Sequence, residues 1–151
     1  MVLADRLIVI EAGRIVQQGT PAQVARHPRT DYVARLVGLN LYRGIAHGHT
    51  VTLAEGLKLD AAESSDGEVF VAFPPSAVAL YRTRPDGTPR NLWRTKIAGI
   101  ERHGDRIRVH LDDPLLAAAD VTTAAVAELG LTEGSEVWAA VKATETHTYP
   151  A

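Results

Sequence analysis

The sequence contains no cysteine, which excludes disulfide cross-links, thiolate metal sites and cysteine nucleophiles together. Aromatic residues are scarce at 5 %, while hydrophobic residues as a whole make up 46 %, so any core must be mostly aliphatic. No apolar run approaches the roughly 18 residues needed to cross a bilayer. No basic stretch followed by an apolar one marks the N-terminus as a secretory leader. These absences predict a soluble chain without direct membrane insertion and fit a reducing compartment. A net charge of −2 argues against wholesale nucleic-acid binding. A length of 151 residues suits one compact domain or two small ones.

Catalytic motifs are missing as well. A phosphate-binding loop needs Gly-x-x-x-x-Gly-Lys-Ser/Thr, so that backbone amides and a lysine hold the phosphates. The three lysines, Lys58, Lys96 and Lys142, follow no glycine, so the sequence offers no ATP site and no hydrolysis of its own. None of the serines, Ser64, Ser65, Ser76 and Ser135, sits in a Gly-x-Ser-x-Gly elbow. His47 and His49 share one strand face and could chelate a metal. No carboxylate joins them at ligand spacing, so exposed histidines are the better reading and no metal is expected.

What is present begins with a hairpin. Residues 6–11 are strand-forming, Ala12-Gly13 is a turn, and residues 14–18 return. Thr20, Pro21 and Gln23 then form a capping box at the start of a short helix reaching about His27, which Pro28 ends. Thr30 caps a second helix, closed by Gly38, whose apolar positions Tyr32, Val33, Leu36 and Val37 predict one buried stripe. From Leu39 onward the pattern is β, with short strands at 49–53, 68–73, 106–111 and 136–141. One helix interrupts them, from Thr122 or Thr123 to Gly130. Residues 84–89 read as a linker.

An internal repeat organises this β region. Asn40-Leu41-Tyr42-Arg43 returns as Asn91-Leu92-Trp93-Arg94, and residues 69–74 return as 137–142. The second copy is longer, and the extra length is expected at the helix that starts near Thr122. Two copies of a small β unit with one inserted helix read as two OB-like barrels in tandem. Each copy is too small to bury much apolar surface alone. The copies should therefore pack on each other, on the N-terminal helices or on a second chain.

Oxyanion binding is the chemistry these residues suit best. A tetrahedral dianion needs several converging N–H or O–H donors and some positive charge, and turns and helix starts supply backbone donors. Thr88-Pro89-Arg90-Asn91 offers a hydroxyl, a guanidinium and amides just before a strand, and Lys142-Ala143-Thr144 offers an ammonium, a hydroxyl and amides just after one. The competing reading makes the first segment a plain turn and Lys142 a surface residue. From Arg90 to Arg108, six cations face only Glu101 and Asp105. These read either as solvated strand faces or as a few cations turned toward a bound anion.

Two stretches resemble known families. Residues 4–21, from Ala4-Asp5-Arg6 to Gln18-Gly19-Thr20-Pro21, are similar to the end of an ABC-transporter ATPase domain. The Walker A, Walker B, signature and switch motifs that lie upstream in that family are absent, so the chain resembles a truncated product or an excised fragment. The remainder resembles the Mop, or TOBE, domains that end molybdate importer ATPases. Thr88-Pro89-Arg90-Asn91 looks like that family's Ser-Ala-Arg-Asn, residues 127–134 like its Glu-Glu-Leu-Gly-Leu-Lys-Pro-Gly-Asp segment, and Val141-Lys142-Ala143-Thr144 like its Ile-Lys-Ala-Ser.

The resemblance implies molybdate or tungstate held by Thr88, Arg90, Asn91, Lys142, Ala143 and Thr144, with Thr122 a weaker transfer. It also implies an oxyanion-sensing regulatory domain, homodimeric, working with an ABC ATPase core and a membrane permease at the cytoplasmic face of the membrane. The expected division is 1–38 for the ATPase remnant, 39–87 for the first Mop-like half and 88–151 for the second. A first-copy site would use Asn40, Arg43 and Ser76. There Pro74-Pro75-Ser76 replaces Lys142-Ala143-Thr144, losing the ammonium and one amide donor. A stand-alone oxyanion buffer and a ligand-free structural tail of another importer are the alternatives. The hairpin at residues 6–18 has apolar strands, which should be covered by residues 19–38 or exchanged with a second chain.

Overall fold

The computed structural model describes residues 6–54, 56–87 and 91–151. Strands β1 (Leu7–Glu11) and β2 (Arg14–Gly19) form the expected antiparallel hairpin. Its turn places Ala12 and Gly13 at φ 51° and 76°, both positive as a tight primed hairpin turn requires. Helix α1 (Pro21–Arg26) opens with the capping box. The Thr20 side chain accepts from the Gln23 amide, and the Gln23 side chain accepts from the Thr20 amide. Helix α2 (Asp31–Val37) is capped by Thr30 and closed by Gly38 at φ 77°.

One expectation about this region needs correction, and of the two covers expected for the hairpin only exchange with a second chain is left. The buried side of α2 is Val33 and Ala34, whereas Tyr32 and Leu36 are 37 % and 60 % exposed. A seven-residue helix makes only two turns, and only the 33–34 side meets its neighbours α1 and β3. Residues 19–38 also fail to cover the hairpin, since Leu7, Ile8, Ile10 and Ile15 all remain exposed within the chain. Helix α1 lies along β2 but is too short to shield both strands.

The β region consists of β3 (Asn40–Leu53), β4 (Lys58–Phe73), β5 (Ala79–Tyr81), β6 (Asn91–His103), β7 (Arg106–Leu111), β8 (Ala117–Val121), β9 (Glu136–Val141) and β10 (His147–Pro150), with helix α3 (Thr123–Leu129) between β8 and β9. One sheet has the order β10-β4-β3 and the other β5-β9-β6-β7-β8. The order shows an exchange. Strand β5 follows β4 in sequence but pairs with β9, while β10 follows β9 but pairs with β4. Each half of the repeat lends its last strand to the other half.

The repeat holds at the level of register. Asn40 lies opposite Phe73 and Asn91 opposite Val141. Each closing strand leads into a short 3-10 turn, Pro75–Ala77 after β4 and Ala143–Glu145 after β9. The extra length of the second half is divided. Part forms α3, and the rest forms the separate β7 and β8, where the first half has a single bent hairpin.

The bend in that first hairpin has a local cause. Gly48 sits at φ 64°, where the β3–β4 register shifts. Beyond it the strand end returns against Gly44, where a Cβ would meet Val51 Cγ1 at 2.6 Å and the Thr52 carbonyl oxygen at 2.7 Å. Only glycine permits that closure.

One core serves both halves. Val51, Leu59, Val71 and Phe73 from the first half and Ile97, Val109, Ala139 and Val141 from the second belong to a single buried cluster. Helix α3 adds Val126 and Leu129 at its edge. A smaller cluster of Phe70, Ala72 and Tyr149 covers the outer face of the β10-β4-β3 sheet. No helix among the described residues is long and apolar enough to cross a membrane.

Candidate functional site

The exchange of strands is stitched by two asparagines at equivalent repeat positions. The Asn40 side chain donates to the Ala118 carbonyl at 3.0 Å and accepts from the Ala118 amide at 2.8 Å. The Asn91 side chain does the same to Asp60, accepting from its amide at 2.7 Å and donating to its carbonyl at 2.9 Å. Each carboxamide thus satisfies a strand backbone of the opposite half, with the geometry of a ladder pair. Asn91 makes one bond more, donating to Thr146 Oγ1 at 3.2 Å, and Thr146 in turn donates to the Lys142 carbonyl at 3.0 Å. Both Asn91 and Thr146 are buried.

This places the candidate residues as follows. Asn91 and the segment Lys142-Ala143-Thr144 are brought together through Thr146. Both amide protons of the Asn91 side chain are spent within the protein. Ala143 and Thr144 open the 3-10 turn, and their amides have no acceptor among the described residues, whereas the Glu145 and Thr146 amides close the turn onto Lys142 and Ala143. Lys142 is exposed, and no carboxylate pairs with it among the described residues. Thr88 and Arg90 lie outside the described residues.

Lys142 shares a groove of about 400 Å³ with Ser76, Ala77, Ala79, Tyr81, Ala140 and Glu145. The pairing of β5 with β9 creates it, because that pairing sets the turn after β4 beside the turn after β9. Ser76 is exposed, and its amide, like that of Ala143, has no acceptor among the described residues. The groove therefore gathers the Ser76 hydroxyl and amide and the Lys142 ammonium, with one carboxylate, Glu145, opposing them, while Ala143 and Thr144 adjoin it through Lys142 and Glu145.

Thr122 caps α3, its hydroxyl accepting from the Ala125 amide at 3.0 Å. It directly follows β8, which packs against the Pro75–Ala77 turn. Asn40, Arg43 and Ser76 are not gathered into one place. Asn40 is committed to Ala118, and the Arg43 guanidinium lies 5.2 Å from the centre of the Phe70 ring, on the outer face of the sheet. Tyr81 and Glu145 are groove residues that sequence reasoning missed. Their only signal was position, since β5 reaches the groove by pairing outside its own half.

Three of the six cations in the cation-rich stretch pair with carboxylates among the described residues. Arg94 pairs with Glu136 at 2.5 Å. Arg108 makes two bonds to Asp120, at 2.8 and 3.0 Å, and Arg106 approaches the same carboxylate at 3.6 Å. His110 meets Glu101 at 2.8 Å. Hydrogen bonding from Arg108 holds the Asp120 carboxyl below its ordinary range. A carboxyl lowered on folding stabilises the fold above its ordinary pKa, and this contribution is lost as pH falls through the lowered value. Asp120→Asn should therefore cost about 1 kcal/mol at neutral pH and flatten the acid limb of stability against pH, as read by urea denaturation between pH 7 and pH 3. An unchanged acid limb would remove Asp120 from that role.

Comparison with known proteins agrees with this architecture. Residues 87–148 match the TOBE domain. The chain is 36% identical over 159 residues to the molybdenum import ATP-binding protein ModC of Mycobacterium tuberculosis, covering 99% of this chain and 43% of that protein. It is 29% identical over 150 residues to the molybdate/tungstate import ATP-binding protein WtpC of Pyrococcus horikoshii, covering 98% of this chain and 43% of that one. A sulfate/thiosulfate import ATP-binding protein, CysA 2 of Agrobacterium fabrum, matches at 32% identity over 69% of this chain. The chain thus spans less than half the length of the curated relatives it matches. Among solved structures, the cytoplasmic molybdate-binding protein ModG superposes with a TM-score of 0.67 at 23% identity, covering 74% of this chain and 96% of that one, a likeness of fold. Residues 87–148 match the TOBE domain on an OB-type fold, and nearly the whole chain is similar to a part of the molybdate and tungstate import ATP-binding proteins.

Proposed function

We propose that the chain is an oxyanion-binding regulatory module, taking molybdate or tungstate, from the ATPase subunit of an ABC importer. The observation that carries this reading is the turn after β9. There an exposed ammonium, Lys142, without a carboxylate partner among the described residues, stands beside two amides, of Ala143 and Thr144, with no acceptor among them. Such a turn can present N–H donors and charge to a tetrahedral dianion without rearrangement. Because Glu145 lines the same groove, the net local charge is small, and the amides and hydroxyls must supply much of the attraction. The full contact set in this reading is Lys142, Ala143 and Thr144, with Thr88 and Arg90 from the strand entry, Asn91 holding the turn through Thr146, and Thr122 as a lesser contributor.

The same reading divides the chain into 1–38, 39–87 and 88–151, supported by the repeat. It makes the whole protein a homodimeric subunit that acts with a permease on the cytoplasmic side of a membrane. Anion binding can regulate such an assembly only if one geometry of the dimer binds the anion better than the other.

Calorimetric titration of the chain with molybdate, and then with sulfate at equal ionic strength, tests the reading. The expected outcome is micromolar or tighter binding of molybdate with little response to sulfate. Absence of heat with both anions would instead identify a ligand-free structural tail. The match to a sulfate/thiosulfate import protein makes sulfate the informative competitor.

A further inference from the structure

We propose that the nine-residue C-terminal arm from Lys142 to Pro150 transmits anion occupancy to the ATPase-like end of the chain by clamping the His27-Pro28-Arg29 loop. This rests on the functional reading above and names how that site is coupled.

The arm begins at the proposed anion turn and ends on the loop between α1 and α2. Its first part is the Ala143–Glu145 turn, tied by Thr146 to Asn91 and to the Lys142 carbonyl. Its second part is β10, which pairs along its length with β4. Glu63 of β4 anchors the start of β10 by accepting from the Thr148 amide at 2.8 Å and meeting His147 Nδ1 at 2.8 Å. One residue later Tyr149 is buried, and its hydroxyl donates to the Pro28 carbonyl. The His27 ring stacks on the Tyr149 ring at 4.3 Å between centroids and 17° between planes. Arg29 lies over Phe70 at 5.4 Å and donates to the Pro150 carbonyl at 3.4 Å.

The loop is gripped from its other side by the ATPase-like hairpin. The Gln17 side chain in β2 donates to the His27 carbonyl at 2.7 Å and accepts from the Arg29 amide at 2.9 Å. The loop is thus held between Gln17 of the hairpin and Tyr149 of the arm. A shift of β10 along β4 cannot leave it in place without breaking one of these bonds.

The repeat supplies a control within the same molecule. Tyr81 occupies in β5 the position that Tyr149 occupies in β10, and Trp138 corresponds to Phe70. Yet Tyr81 is 39 % exposed, with no hydrogen bond or ring stacking to residues 19–38 among the described residues, and Trp138 is overlaid by Arg84 of the adjoining segment. The half that has lost the ammonium and one amide, through Pro74-Pro75-Ser76, carries no clamp. The half that keeps Lys142-Ala143-Thr144 carries it.

The test is amide hydrogen exchange on the 151-residue chain with and without molybdate, for the wild type and for Tyr149→Phe, which keeps the ring and removes only the donor. With molybdate at about a hundred times its Kd, exchange across residues 20–38 of the wild type should slow about tenfold, together with residues 142–150. Tyr149→Phe should bind molybdate with unchanged affinity and keep the slowing at 142–150, but lose most of it at 20–38. Binding that leaves 20–38 unchanged in the wild type, or equal slowing there in Tyr149→Phe, overturns the coupling alone. Failure of the wild type to bind molybdate by calorimetry overturns the functional reading, and the coupling with it.

Discussion

Asn91→Leu is expected to lower the unfolding free energy by about 3 kcal/mol, because it leaves two backbone groups without the Asn91 carboxamide and removes one of the two bonds of a buried hydroxyl. These are the amide and carbonyl of Asp60 and the hydroxyl of Thr146. Leucine keeps the branching and is larger, so no cavity forms, and the loss combines unpaired polar groups with overpacking at a buried site. Asn40→Leu strands only the amide and carbonyl of Ala118 and should cost less. Urea denaturation of the three proteins checks both the size and the order. A loss below about 1 kcal/mol for Asn91→Leu would mean that water replaces the carboxamide readily, and that the Asn91 bonds to Asp60 are not what joins the halves.

Lys142→Ala is expected to weaken molybdate binding by about tenfold to a hundredfold, the range for removing one charge-assisted hydrogen bond. Because Lys142 is exposed, the wild-type affinity should also fall as salt is raised, and the variant should show a shallower dependence. Stability should barely change, since the ammonium pairs with no carboxylate among the described residues. Calorimetry of both proteins at low and high salt separates these effects. Equal affinity in the two proteins would sink the role given to Lys142 while leaving the amides of Ala143 and Thr144 in play. Together with Asn91→Leu, this variant separates holding the turn in place from contacting its ligand.

Much of the local structure was legible beforehand. The capping box at Thr20 and Gln23, the cap at Thr30, and the αL closures at Gly38 and Gly130 are decided within four residues along the chain, so the sequence shows them directly. Strand β8 was missed because its residues, Ala117–Val121, are mostly alanine, whose strand preference is low. Strands β5 and β10 were missed because three or four residues are too few to show a period. The stripe expected on α2 was wrong for Tyr32 and Leu36, because apolar spacing states which residues could be buried and not whether a neighbour reaches them.

By itself, then, the sequence determined the hairpin, the helix ends, the mainly β class, the internal repeat and the donor-rich turn at Lys142. Each of these is written in residues adjacent in the chain or recurring at a fixed offset. Only the tertiary structure decided that β5 and β10 change places, that Asn40 and Asn91 spend their side chains on Ala118 and Asp60, that Ser76 faces the same groove as Lys142, and that Tyr149 holds Pro28. The reason is that a strand pairs through its backbone, which nearly every residue offers alike. Which partner it takes is settled by how both halves bury one shared aliphatic core, a sum over residues distant in sequence that no local pattern records.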